Sequence, residues 1–300
     1  MKQSLKYFFT VFFRSYSQLF FESNITYGIL IFLLTLTSPY LALNAALAIT
    51  ASIFVAPVFK FNSKLMMSGT FGVNPFLSGG AIFLFYHNNF ILAFFSGVLA
   101  MFFSRIFTNL FRVHKLPFLS FPFILTSFLL LVLFKPELGS IPVIETDFKT
   151  NFLITFFTII SHCFSAMCFL THWWQGLILA ILLIIFNVKS FINVALAVSL
   201  VAFVLMLFNY GNHLISFYFY GFNFILIALA IQHLISSDYN YTLILIPLLT
   251  FCSLLLLFYL HPIFNNLSLS AFSIPFSIVV LLAKIIQNTN STQKNLWKKK

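Results

Sequence analysis

Nearly the whole chain can be tiled with uninterrupted apolar stretches long enough to cross a bilayer. This constrains its fold more than any other feature. The hydrocarbon core of a membrane is about 30 Å thick, so a spanning helix needs roughly 20 mostly apolar residues. Such stretches recur near residues 26–43, 45–59, 68–85, 90–104 and 117–134, and again near 175–189, 194–208, 216–234, 242–259 and 270–288. Only 7% of the 300 residues are charged, whereas soluble domains carry roughly 25%. A water-soluble fold of this size could not cover its surface with so few charges. In lipid every backbone polar group must be satisfied internally, which leaves helices or a closed barrel. The runs are continuous and not alternating, which selects helices. The expected fold is an all-α polytopic membrane protein of about ten transmembrane helices.

Two stretches do not fit as simple spans. Residues 5–22 are interrupted by Arg14, Ser15, Ser17, Gln18 and Glu22, and residues 150–172 by Ser161, His162, Ser165, Thr171 and His172. Each is expected to be a tilted or re-entrant helix, because polar groups at membrane depth are tolerated where they face protein or a water-filled cavity. Between the two series lies the polar interval from Lys135 to Lys149, with three of the five acidic residues and two prolines. The expected organisation is a first repeat over 1–135, an extracytoplasmic linker over 136–149, a second repeat over 150–289 and a basic cytoplasmic tail over 290–300. With the N-terminus in the cytoplasm, all 16 basic residues except Lys135 and Lys149 fall on the cytoplasmic side, as the positive-inside rule requires.

The net charge of +11 therefore reads as a topology signal and carries no nucleic-acid reading. Membrane lipid is the expected surrounding, and the tail lysines Lys298, Lys299 and Lys300 suit an anionic leaflet. Most of the 45 phenylalanines are expected to face lipid or pack helices. Cys163, Cys168 and Cys252 lie in apolar stretches without CxxC spacing and read as buried packing residues. No His, Cys or Asp cluster suggests a metal, and no cofactor is implied. The opening residues lack a small-residue cleavage site, and no organelle signal is apparent, so a bacterial-type plasma (inner) membrane is expected.

The halves resemble each other. Asn44–Thr50 reads NAALAIT and Asn193–Ser199 reads NVALAVS; Gly72-Val73-Asn74 corresponds to Gly221-Phe222-Asn223; LSFPF at Leu119–Phe123 corresponds to FSIPF at Phe272–Phe276. The matches come in the same order at nearly constant spacing. An odd number of crossings per repeat makes the second copy inverted, an arrangement that places a solute site near the membrane midplane.

Six motifs in this order resemble the urea transporter family. They are Gln18-Leu19-Phe20-Phe21, Gly72-Val73-Asn74-Pro75-Phe76-Leu77 and Leu116-Pro117-Phe118-Leu119-Ser120-Phe121-Pro122-Phe123 in the first half. Their counterparts are Ala166-Met167-Cys168-Phe169, Gly221-Phe222-Asn223-Phe224-Ile225-Leu226 and Leu269-Ser270-Ala271-Phe272-Ser273-Ile274-Pro275-Phe276. The resemblance implies two half-pores around one straight pore per protomer, in a homotrimer. It implies facing slot rings at Phe21 and Phe169, flanked by Val73 with Leu77 and by Phe222 with Leu226. Ser120 and Ser273 would stand at the pore threonine positions, and Gln18 at the family's carboxamide or carboxylate position. The sequence departs from the family at Ala166, where Gln or Glu is expected, at Val73 in place of an aromatic, and at Pro75 in place of glycine.

The implied function is channel-like facilitated diffusion of urea. The alternative on the same fold is another small neutral solute, such as a short amide, ammonia or water. A membrane-embedded enzyme would need a polar constellation, and the sequence offers no catalytic set. Coupled transport usually needs buried carboxylates, for which Glu22 is the one clear candidate. Glu22 is otherwise a residue at the pore mouth, His162 and His172 read as neutral and backbone-satisfied, and Trp173 with Trp174 reads as an interfacial anchor.

Overall fold

The apolar run read as one span over 26–43 is broken in the structure, a computed structural model that describes residues 2–135, 152–207, 220–235, 239–266 and 270–297. Helix α2 (Ile25–Thr35) ends in a turn in which the Thr37 hydroxyl donates to the Leu34 carbonyl, 2.7 Å. Pro39 then opens α3 (Pro39–Val55). Proline has no N–H to continue a helix and suits a first-turn position, so the break falls there.

Every regular element among the described residues is helical. The first half begins with α1 (Lys2–Ser17) and a 3-10 turn at Gln18–Phe20, followed by α2 and α3. Then come α4 (Ser63–Met67), a 3-10 turn at Thr70–Gly72, α5 (Val73–Tyr86), α6 (Phe90–Arg112) and α7 (Phe121–Phe134). The second half holds α8 (Phe152–Ala166), α9 (Trp173–Phe186), α10 (Val188–Leu207), α11 (Phe222–Ala230) running into a π-turn at Ile231–Ile235, α12 (Tyr239–Asn266) and α13 (Ile274–Trp297). The linker expected over 136–149, Leu269 and the three terminal lysines lie outside the described residues.

Among the described residues, three helices are each long and apolar enough to cross a membrane alone: Phe90–Arg112, Val188–Leu207 and Asn240–Phe264. The pair α1–α2 makes a fourth candidate, bent by 83°. The other helices have shorter apolar stretches, Ile274–Thr289 of α13 among them. At 1.5 Å per residue the 14 residues of α5, α7 or α9 reach about 21 Å, less than the hydrocarbon core.

Large apolar side chains cover the outside, among them Phe54, Ile91, Phe95, Leu133 and Ile185, each more than half exposed. Such a surface needs an apolar solvent. Cys252 belongs to it. It was expected in the core with Cys163 and Cys168, which are buried, but it lies on an exposed face of α12. An apolar neighbourhood in sequence cannot separate a lipid-facing thiol from a core one. Inside, hydroxyls are satisfied within their own helices: Ser52 to Ile49, Ser104 to Ala100 and Thr126 to Pro122, all 2.7 Å.

The halves meet through reciprocal contacts. Tyr27 of the first half stacks on Phe186 of the second, with centroids 4.8 Å apart and rings 20° from parallel. In the corresponding place Gln175 of the second half donates to the Thr37 hydroxyl of the first, 2.7 Å. Gln175 also accepts from the His172 N–H, 3.0 Å, at the start of α9. Gln175→Ala removes a cap and a cross-half bond together and is expected to destabilise the protein by about 1–2 kcal/mol. A thermal melt in detergent checks this; an unchanged melting temperature would contradict it.

Candidate functional site

The two phenylalanines singled out in the sequence occupy equivalent, strained turns. Helix α1 tightens into the 3-10 turn, and Phe21 follows in the left-handed region at φ 59°. Its N–H donates to the Gln18 carbonyl, 3.0 Å, and the next N–H, of Glu22, to the Ser17 carbonyl, 3.2 Å. After α8 the pattern repeats: Phe169 has φ 57°, and the N–H groups of Phe169 and Leu170 donate to the Ala166 and Ser165 carbonyls at 3.1 and 3.0 Å. A left-handed conformation costs a residue bearing Cβ roughly 1–2 kcal/mol. Strain of this kind clusters where a side chain must be aimed.

A second equivalence lies at the starts of α7 and α13. Leu119 and Phe272 are also left-handed, at φ 46° and 43°. Each is held by an asparagine from another helix: the Asn74 amide donates to the Leu119 carbonyl, 3.1 Å, and the Asn223 amide to the Phe272 carbonyl, 3.0 Å. The Asn74 oxygen accepts from the Phe123 N–H, 3.0 Å, and the Asn223 oxygen from the Phe276 N–H, 3.2 Å.

Between these turns lies a cavity of about 220 Å³, below the roughly 300–1,000 Å³ of sites for drug-sized ligands. Its lining includes Gln18, Phe21, Val73, Leu77, Ser120, Phe222 and Leu226, drawn from both halves. Val73 and Leu77 stand one turn apart on α5, and Phe222 and Leu226 one turn apart on α11. Most of the wall is apolar, with Gln18, Thr70, Asn74 and Ser120 as its polar members. Ser120 is 5% exposed.

Phe169 and Ser273 lie outside this lining. The Phe169 ring lies against Phe76 and Phe123, with centroids 6.5 Å away in both cases. It also covers Gly80, where a Cβ would overlap the ring. Ser273 is fully buried, and among the described residues its hydroxyl has no hydrogen-bond partner.

Among the lining residues, Thr70 and Leu234 belong to none of the motifs, and Pro117, Met167 and Phe276 stand in motifs but were given no site role from the sequence. His233 was also missed. It stacks on Phe21 with centroids 5.7 Å apart and rings 20° from parallel. The polar pair Gln232-His233 at the end of an apolar run was the available signal, and it marks a π-turn, a feature frequent at functional sites. Beside Phe21, Glu22 accepts a 2.5 Å hydrogen bond from Asn187.

A helical body with a lipid-compatible surface, a sharply bent helix pair and a small ring-walled cavity between two similar halves defines a multi-pass membrane protein of the transport class. The chain belongs to the urea transporter family, whose model matches residues 9–290. No curated protein matches it. Membership makes urea transport across a membrane its function class and urea the implied substrate.

Proposed function

We propose that the protein is a passive, channel-like path for urea through a slot of aromatic rings and aligned oxygens, with Phe21 and Phe169 as slot rings and Ser120 among the oxygens. The observation that carries this reading is the cavity itself, which gathers Phe21, the Val73–Leu77 and Phe222–Leu226 walls, Gln18 and Ser120 from distant parts of the chain. Urea is flat, uncharged and rich in N–H donors. Aromatic and aliphatic walls admit a flat molecule and exclude a hydrated ion, while oxygens in line replace its lost water contacts. Among the described residues no charged side chain lines the cavity, which suits a neutral solute.

The reciprocal contacts of Tyr27 with Phe186 and of Gln175 with Thr37 support two halves related by a two-fold axis in the membrane plane. On this reading the repeats over 1–135 and 150–289 supply about five spans each. They enclose one pore per protomer of a homotrimer in a bacterial inner membrane. A second reading, another small neutral solute such as a short amide, is favoured by Ala166. This residue leaves the second turn without the polar side chain that Gln18 gives the first.

The test is solute entry into proteoliposomes carrying the parent, Phe21→Ala or Phe169→Ala. Ring removal is expected to change urea entry by roughly fivefold or more and to narrow the gap between urea and bulkier ureas. Urea entry no faster than through protein-free vesicles, with acetamide or ammonia accelerated, would assign the pore to the second reading.

A further inference from the structure

Ser120 and Ser273 stand at the N-cap positions of α7 and α13, yet neither caps its helix. Serine is among the preferred N-cap residues because its hydroxyl oxygen accepts the N–H of the second or third helical residue. Here the third-residue amides are those of Phe123 and Phe276. Both donate to an asparagine brought from elsewhere, Asn74 on α5 and Asn223 on α11. Both asparagines are at most 1% exposed. Proline at the second helical residue, Pro122 or Pro275, removes another N–H that a serine could have capped. At neither end does the serine cap its helix: among the described residues the buried Ser273 hydroxyl has no hydrogen-bond partner, and Ser120, on the cavity wall, makes no side-chain cap bond.

We infer that Asn74 and Asn223 are positioning residues for transport. They cap α7 and α13 in trans, which spares the serine at each N-cap position that task; at α7 this leaves the Ser120 oxygen, on the cavity wall, free to accept N–H groups of the permeating solute. Each carboxamide does a second task. By donating to the carbonyl of Leu119 or Phe272 it pins the left-handed residue just before the serine and so fixes where the hydroxyl points. Without the asparagine, the N-cap position of the serine lets its hydroxyl turn inward to cap the vacated third-residue amide. The inference rests on the channel reading and adds to it the means by which an oxygen at a helix N-terminus is kept available.

A four-member cycle tests it: parent, Asn74→Ala, Ser120→Ala and the double variant, compared for urea permeability in proteoliposomes. If the asparagine acts through the serine, each single change lowers permeability roughly fivefold, and the double is no lower than either single. If Asn74→Ala lowers permeability equally in the parent and in the Ser120→Ala background, the asparagine acts independently and the inference is overturned while the channel reading stands. A Ser120→Ala variant with parental permeability removes the serine from the path and overturns the inference alone, whereas a parent that admits urea no faster than protein-free vesicles overturns the channel reading. If Asn74→Ala does not fold, Asn74→Asp takes its place. It keeps the acceptor for the Phe123 N–H but loses the donor to the Leu119 carbonyl, so permeability is expected to fall in the parent and to fall no further in the Ser120→Ala background. An equal fall in both backgrounds would then overturn the inference.

Discussion

Leu77→Trp is expected to cut urea permeability by roughly tenfold or more while leaving the helical framework in place. Leu77 is 4% exposed and stands on α5 one turn beyond Val73, facing the cavity that Phe222 and Leu226 close from the other half. The cavity is only about 220 Å³, so an indole in place of an isobutyl group takes up a large part of the open path. The added bulk projects into open space rather than into packed core, so the overpacking cost is partly avoided. Stopped-flow permeability with a thermal melt as control separates the two effects. Parental flux with a parental melting temperature would show that this cavity is not the path.

A second large effect is expected at the helix crossings. Gly28 of α2 lies directly on the Phe13 carbonyl of α1, and Gly176 of α9 directly on the Ser161 carbonyl of α8. A Cβ at either glycine would overlap that backbone oxygen. Backbone cannot step aside as a flexible side chain can, so the two helices must separate. Small residues that let helices approach this closely are a recurring device of membrane folds. Gly28→Val and Gly176→Val are each expected to destabilise the protein by about 3 kcal/mol or more. The effect on transport follows from position: the separated helices carry the turns that aim Phe21 and Phe169. Size-exclusion profile and melting temperature check the result, and a variant as stable as the parent would contradict the close approach.

Much of this was legible in the sequence, and the residues show why. The sparse charge and continuous apolar runs require helices in lipid. Repeated local strings such as Gly72-Val73-Asn74 and Gly221-Phe222-Asn223 fall at corresponding turns because local chemistry fixes local shape. Motif reading also named Gln18, Phe21, Val73, Leu77, Ser120, Phe222 and Leu226, which gather at one cavity. Where tertiary contacts decide, the sequence was silent. The Thr37-Ser38-Pro39 break was hidden inside an apolar run, and hydropathy alone could not tell Cys252 from Cys163. His233 joins Phe21 from the far half of the chain. The roles of Asn74 and Asn223 depend on amides roughly 50 residues away, a pairing that no spacing rule announces.

The most direct measurement is re-swelling of proteoliposomes under an inward urea gradient, with and without ionophores that collapse sodium and proton gradients. The expected result is urea entry well above that of protein-free vesicles, saturating only at high concentration and indifferent to the ionophores, as a neutral pore without a coupling carboxylate requires. Entry at the protein-free rate, or entry that stops when an ion gradient is collapsed, would contradict a passive urea channel.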